Sequence, residues 1–361
     1  MSVRSRLTQA LAIEGLPVAA ALAIAVVFFS LASPFFLTQE NISNLLTQSL
    51  FVTILAVGMT FVLIVGGFDL SVGAATGLSA ATTMLVLMNG GALPLGILAG
   101  IATGMAFGLI NGFFIAVMEI NAFIVTLATL SIGAGALQVL TTGTQLTGVS
   151  LPTFAWLTKG SILGIPSGVV ITLLFVAAME WVLLFTTYGR MIFAVGTNPR
   201  AAFLAGTSVR GLTFSVYLLS GTIAGLAGVL LASHLNSVQP GLGQGYELTA
   251  IAAAVLGGVA LGGGRGSVWR AVTGALFLAT MAQGLQLIGV DPMWFSIVTG
   301  ASIVVAVGFD RAVQQWVIKQ LAAATTQRQV SGDPDDPDDP GTDSPDSPTK
   351  PATSSSVRNT K

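Results

Sequence analysis

The chain of 361 residues contains no cysteine, a single histidine, and charged side chains at only 8% of its positions. The missing cysteines exclude a disulfide framework, a thiolate metal site and a cysteine nucleophile. His234 has no acid near it in sequence, and a lone histidine at a helix end is more often a cap or surface residue than a base. Ahead of the last thirty residues the acids are Glu14, Glu40, Asp69, Glu119, Glu180, Glu247, Asp291 and Asp310, too dispersed to make a reactive set. Neither Lys159 nor Lys319 closes a glycine-rich phosphate loop. No catalytic residue, metal site or bound cofactor is nominated, the chain is not expected to hydrolyse ATP by itself, and no nucleic acid is expected as a partner.

What fills the chain is apolar: 53% of residues are hydrophobic, whereas a water-soluble domain carries about 25% charged residues. The composition is that of an all-α integral membrane protein. Runs long enough to cross a hydrocarbon layer of about 30 Å fall near 18–37, 46–65, 72–88, 93–117, 122–141, 167–186, 212–233, 248–264, 271–288 and 293–309. These give about ten spanning helices, nine to eleven if 46–65 and 72–88 form one broken unit. With ten, thirteen of the fourteen Lys and Arg residues fall on the cytoplasmic side and only Lys159 falls outside, so both termini are expected in the cytoplasm. The segment 142–166 suits a short helix on the outer face or an ordered loop. Three parts follow: a cytoplasmic N-terminal segment 1–17, a membrane domain 18–310, and a cytoplasmic segment 311–361. The last is expected to be disordered from about 325, where Pro, Ser and Asp dominate.

Polar residues within the spans are candidates for a pathway lining: Gln48, Asn111, Asn121, Thr126 and Gln283. Each also suits helix-to-helix hydrogen bonding. Because buried charge is scarce, the solute that crosses is expected to be uncharged. The basic connection 186–211 holds Gly189, Arg190 and a short helix in which Asn198 caps, Pro199 opens, Arg200, Ala201 and Ala202 follow, and Gly206 closes. A glycine-rich descent holds Gly257, Gly258, Gly263 and Gly264 before Arg265.

Four stretches, "VGGFDLSVG" (65–73), "NAFIVTLATL" (121–130), "TTYGRMIFAVGTNPRAAFLAGTSV" (186–209) and "YELTAIAAAVLGGVALGGGRGSV" (246–268), together resemble the permease subunits of bacterial ABC importers for monosaccharides, the ribose, xylose, galactose and arabinose group. The resemblance implies a type II-like importer permease in the bacterial cytoplasmic (inner) membrane. It also implies a paired permease, a homodimer or two different chains, with a cytoplasmic ATPase subunit that uses ATP and Mg. An extracellular or periplasmic sugar-binding protein would deliver the sugar. The stretch 187–210 would then be the coupling element. Family members usually carry an acid where this chain has Arg200, and proline where it has Asn121. A secondary transporter or facilitator for a small polyhydroxy solute is the alternative, and which sugar is carried is not legible.

In "VGGFDLSVG", Gly66 and Gly67 are expected to end one helix, and Asp69 or Ser71 to cap the next. The functional alternative is that the two helices break within the membrane, with Asp69 beside the path.

Overall fold

The computed structural model describes residues 15–149 and 151–294, and beyond them the single positions 297, 300, 301 and 304. Residues 1–14, most of the expected span 293–309, and the whole segment 311–361 lie outside the described residues. The described chain is helical: α1 (Leu16–Ala32), α2 (Gln39–Ile64), α3 (Val72–Met88), α4 (Leu93–Gly112), α5 (Ala122–Leu140), α6 (Pro152–Lys159), α7 (Ser167–Phe185), α8 (Thr187–Thr197), α9 (Pro199–Leu204), α10 (Val209–Leu235), α11 (Tyr246–Leu256) and α12 (Val268–Leu287). Helices α2, α5, α7, α10 and the run from α4 through the π-turn Phe113–Val117 are long and apolar enough to cross a membrane.

Several boundaries differ from the hydropathy reading. The first span stops at Ala32 rather than 37, because Pro34 drives the preceding Ser33 into extended backbone. Helix α2 starts seven residues ahead of the apolar run, since the Thr38 hydroxyl accepts the Asn41 N–H and Glu40 lies in the first turn. The expected helix 248–264 ends at Leu256, because Gly258 (φ 86°) takes the left-handed position and the N–H of Val259 closes on Ala254. Segment 142–166 contains α6 and a hairpin of β2 (Ser161–Ile162) with β3 (Ile165–Pro166). A second pair, β1 (Leu146–Thr147) with β4 (Ser237–Val238), ties that segment to the end of α10.

The core is built round α2, buried almost throughout from Ser49 to Ile64, and round the tight stack of α3, α4 and α10. That stack is made by glycine. On α4, Gly96, Gly100, Gly104, Gly108 and Gly112 recur every fourth residue and so share one face. A Cβ on Gly104 would run into the backbone of Gly221 and Gly225 on α10, and one on Gly108 into Tyr217 and Leu218. With no side chains between them the two backbones reach van der Waals contact, the main source of helix association in lipid.

Two helices begin halfway along the bundle. Helix α10 is about 40 Å long at 1.5 Å per residue, and near its middle Ser220 bonds Asp69 while the Ala224 carbonyl accepts from Thr76. Thus the irregular stretch 65–71 climbs from the end of α2 to mid-depth before α3 starts. From the opposite end, 236–245 descends beside α3 until Gly243 packs on Gly73, and α11 starts there. The two interruptions run in opposite directions and meet.

The glycine contact is testable by thermal unfolding in detergent. Gly104→Leu is expected to abolish folded protein, because overpacking backbone against backbone costs more than the usual 1–3 kcal/mol or so of a core insertion. Gly135→Ala on α5, where a Cβ meets open space, is expected to leave the melting temperature unchanged or slightly raised.

Candidate functional site

Asp69 is buried, 1% exposed, at the junction of four helices. Its Oδ1 accepts the Ser71 N–H (3.0 Å) and the Ser71 hydroxyl (2.6 Å), and Oδ2 accepts the Ser220 hydroxyl (2.8 Å). Asn111 on α4 donates its amide to Ser71 Oγ (2.7 Å) and reaches Asp69 Oδ1 at 3.5 Å, while its Oδ1 accepts from Thr129 on α5 (2.8 Å). The Tyr217 hydroxyl donates to the Phe68 carbonyl, which secures the non-helical backbone beside them. Of the two expected caps, Ser71 makes no side-chain bond to α3, whereas Asp69 accepts the Ser71 amide just ahead of that helix and also the Ser71 and Ser220 hydroxyls, with Asn111 of α4 alongside, so it serves the break as well as the helix start. The reason is depth: an irregular backbone inside the bundle must find all of its partners within the protein.

The other polar candidates separate. Asn111 joins the Asp69 cluster. Thr126 is buried on α5 and bonds the carbonyl one turn back at Ala122. Gln283 on α12 donates to Asn41 on α2 (2.8 Å), a helix-to-helix bond. Asn121 is exposed and caps α5 by accepting the Phe123 N–H. Gln48 is exposed on α2, apart from the cluster. Sequence reasoning left Glu180 among the dispersed acids, without a role. Glu180 is buried on α7 and accepts the Ser267 hydroxyl and the Val268 N–H, both at 2.8 Å, so one helix caps the start of another. The signal available was an acid in one apolar span and a serine before another.

The basic connection is built as its residues dictate. Asn198 accepts the Ala201 N–H, Pro199 opens α9, and Gly206 (φ 89°) lets Thr207 close on Ala202. The same closure ends α2 at Gly66 (φ 88°), where Gly67 N–H reaches the Val62 carbonyl. Gly189 sits under α7, where a Cβ would strike the Leu183 backbone. Arg190 and Arg200 are exposed, Ala202 is buried, and Arg265 is exposed. Phe193, Ala194, Thr197, Asn198, Ala201 and their neighbours line an open apolar groove of about 450 Å³. Phe203 and Leu204 stand out beside it, 66% and 79% exposed. Burial pushes the Tyr188 phenol above its usual range, leaving it a neutral partner for Ser215.

This connection is keyed to the core through backbone. A Cβ on Gly196 would collide with the Ile64 carbonyl and the Gly264 N–H, and Gly264 N–H itself bonds Ile64 O (2.8 Å). Gly263 (φ 83°) and Gly264 (φ 74°) supply the turn, and Gly257 packs on the Arg270 backbone of α12. The end of α2, the end of α8 and the glycine descent therefore meet with no side chain between them. Arg210, opening α10, pairs with exposed Glu119 beyond the π-turn, closing a second link between the connection and α4.

Asp69→Ala strands Ser71, Ser220 and the junction backbone, and is expected to lower stability by about 2 kcal/mol or more. Asp69→Asn, whose amide can face a rotated Ser220 hydroxyl, is expected to retain most of it. Denaturation in detergent checks the pair, and equal loss in both would place the weight on charge instead.

With this geometry in hand, comparison with known proteins is informative. A family model described as "Branched-chain amino acid transport system / permease component" matches residues 41–307. The Ribose import permease protein RbsC of Bacillus subtilis (strain 168) is 40% identical over 290 residues, covering 80% of this chain and 90% of that protein. RbsC of Escherichia coli (strain K12) is 39% identical over 300 residues, covering 81% and 92%. The L-arabinose transport system permease protein AraH of the same strain is 37% identical over 282 residues, covering 78% and 86%. The matched region holds the Asp69 break, the connection 186–211 and the glycine descent, so the chain belongs to the transport-permease family that includes these sugar permeases.

Proposed function

We propose that the chain is the membrane-spanning subunit of an ATP-binding cassette importer in a bacterial cytoplasmic membrane, forming the path for a monosaccharide of the ribose type or a related sugar. Two permease chains pair, homodimeric or otherwise, and both described ends of the basic connection face the cytoplasm. A separate ATPase, using ATP and Mg, docks on the groove beside α9. An extracellular or periplasmic binding protein delivers the sugar. The observation that carries this function is the backbone seat of the connection on α2 and the glycine descent. A push on α9 passes through Gly196, Ile64 and Gly264 to the end of the very helix whose continuation is the Asp69 break. ATP binding draws the two connections together, and the break is where the rigid path from the cytoplasm meets the irregular backbone of the bundle. Scarce buried charge and a hydroxyl- and amide-rich junction fit a neutral polyhydroxy solute.

The purified chain alone is expected to show no ATP hydrolysis. In vesicles, with ATPase and binding protein present, ATP-dependent uptake of ribose or a related sugar is expected. Uptake that persists without both partners and follows a proton or sodium gradient would establish a secondary transporter instead. Leu204→Asp, on an exposed position, is expected to leave the melting temperature unchanged and to reduce co-purification of the ATPase at least ten-fold. Retained co-purification would move the docking surface elsewhere.

A further inference from the structure

Glu247 lies in the first turn of α11, 8% exposed, at the level where α11 and α3 begin. Its Oε1 accepts the Gly245 N–H (3.1 Å). Its Oε2 is buried and has no hydrogen-bond partner. That oxygen is pressed on α3 at Gly73, where any Cβ would strike it and the Gly243 carbonyl. The contrast with Asp69 is sharp: both Asp69 oxygens are engaged, whereas one oxygen of Glu247 is held in a low-dielectric interior with nothing donating to it. Such an atom is costly to bury, and natural structures seldom leave one without a role.

Two further observations define what it faces. The starts of α3 and α11, both positive ends of helix dipoles, converge on this carboxylate. Beside it, Gln244 and Gly245 are exposed, and Gly245 has open space around its α-carbon. At half the depth of α10, an exposed amide is stable only against water or another protein. The turn that carries them bends at Gly243 (φ 92°) and Gly245 (φ 85°), backbone angles that cost glycine little.

We propose that Glu247 Oε2 is an acceptor for a hydroxyl of the transported solute, closed against Gly73 in this conformation and uncovered when the 239–245 turn moves away from α3. The inference rests on the sugar-permease function proposed above and adds a residue to it. A neutral sugar supplies the donor that the oxygen lacks and leaves no net charge behind.

Glu247→Gln isolates the oxygen, because the amide retains an Oε1 for Gly245 while replacing the acceptor with a donor. In vesicles holding permease, ATPase and binding protein, with ribose, allose and arabinose as probes, the variant is expected to keep its melting temperature. It should also keep ATP hydrolysis stimulated by the loaded binding protein within two-fold. Sugar delivered per ATP should fall at least ten-fold. Equal delivery per ATP overturns the inference and leaves the permease function standing; a wild-type complex that moves none of the three sugars removes both. Should the variant not fold, carbodiimide labelling of Glu247 in the wild-type complex during ATP turnover, located by mass spectrometry, decides instead. Labelling reduced at least five-fold by saturating sugar supports the inference. No labelling, or labelling indifferent to sugar, overturns it.

Discussion

A backbone amide outside a helix has no water to turn to inside a bilayer, and among the described residues the helices are interrupted within the bundle at 65–71 and 236–245. Everything about the junction follows from that constraint. Asp69 gathers the Ser71 amide and hydroxyl together with the Ser220 hydroxyl, Asn111 carries the link to α5, and Tyr217 covers the Phe68 carbonyl. With these in place α2 and α3 are two rods with a fixed joint. Without them, 65–71 would have to be helical, and α3 could not begin beside the middle of α10.

The chain manages its few buried charges by one rule. Asp69 precedes α3, Glu180 receives the first amide of α12, and Glu247 sits in the first turn of α11. Each buried carboxylate stands where a helix begins, so oriented backbone dipoles supply the compensating positive potential. Arg190, Arg200 and Arg210 stand at exposed positions.

Hydropathy made the spans α3, α4, α5, α7 and α10 legible to within a few residues, because each is one continuous apolar run. The cap at Asn198, the opening at Pro199 and the closure at Gly206 were legible too, since they depend on bonds made within a few residues. What hydropathy misplaced depends on local geometry or distant partners. Pro34 cut short a predominantly apolar run, and the polar start of α2 is helical because Thr38 caps it. Glu180 and Asp69 each act on residues 87 or more positions away along the chain through Ser267 and Ser220, a relation no window reveals. The every-fourth-residue glycines of α4 were in plain view, and their period of four marks a helix face without naming the helix that it meets.

The shortness of α11 governs how the molecule is assembled. Its eleven residues span about 16 Å, half of the hydrocarbon layer, so it cannot enter the membrane as an independent span. Its start is defined only by the wall that α3 offers at Gly73, and its far end by the backbone of α12 at Gly257. Between those ends it packs along α2 and α12, so its place in the bundle depends on helices made before and after it.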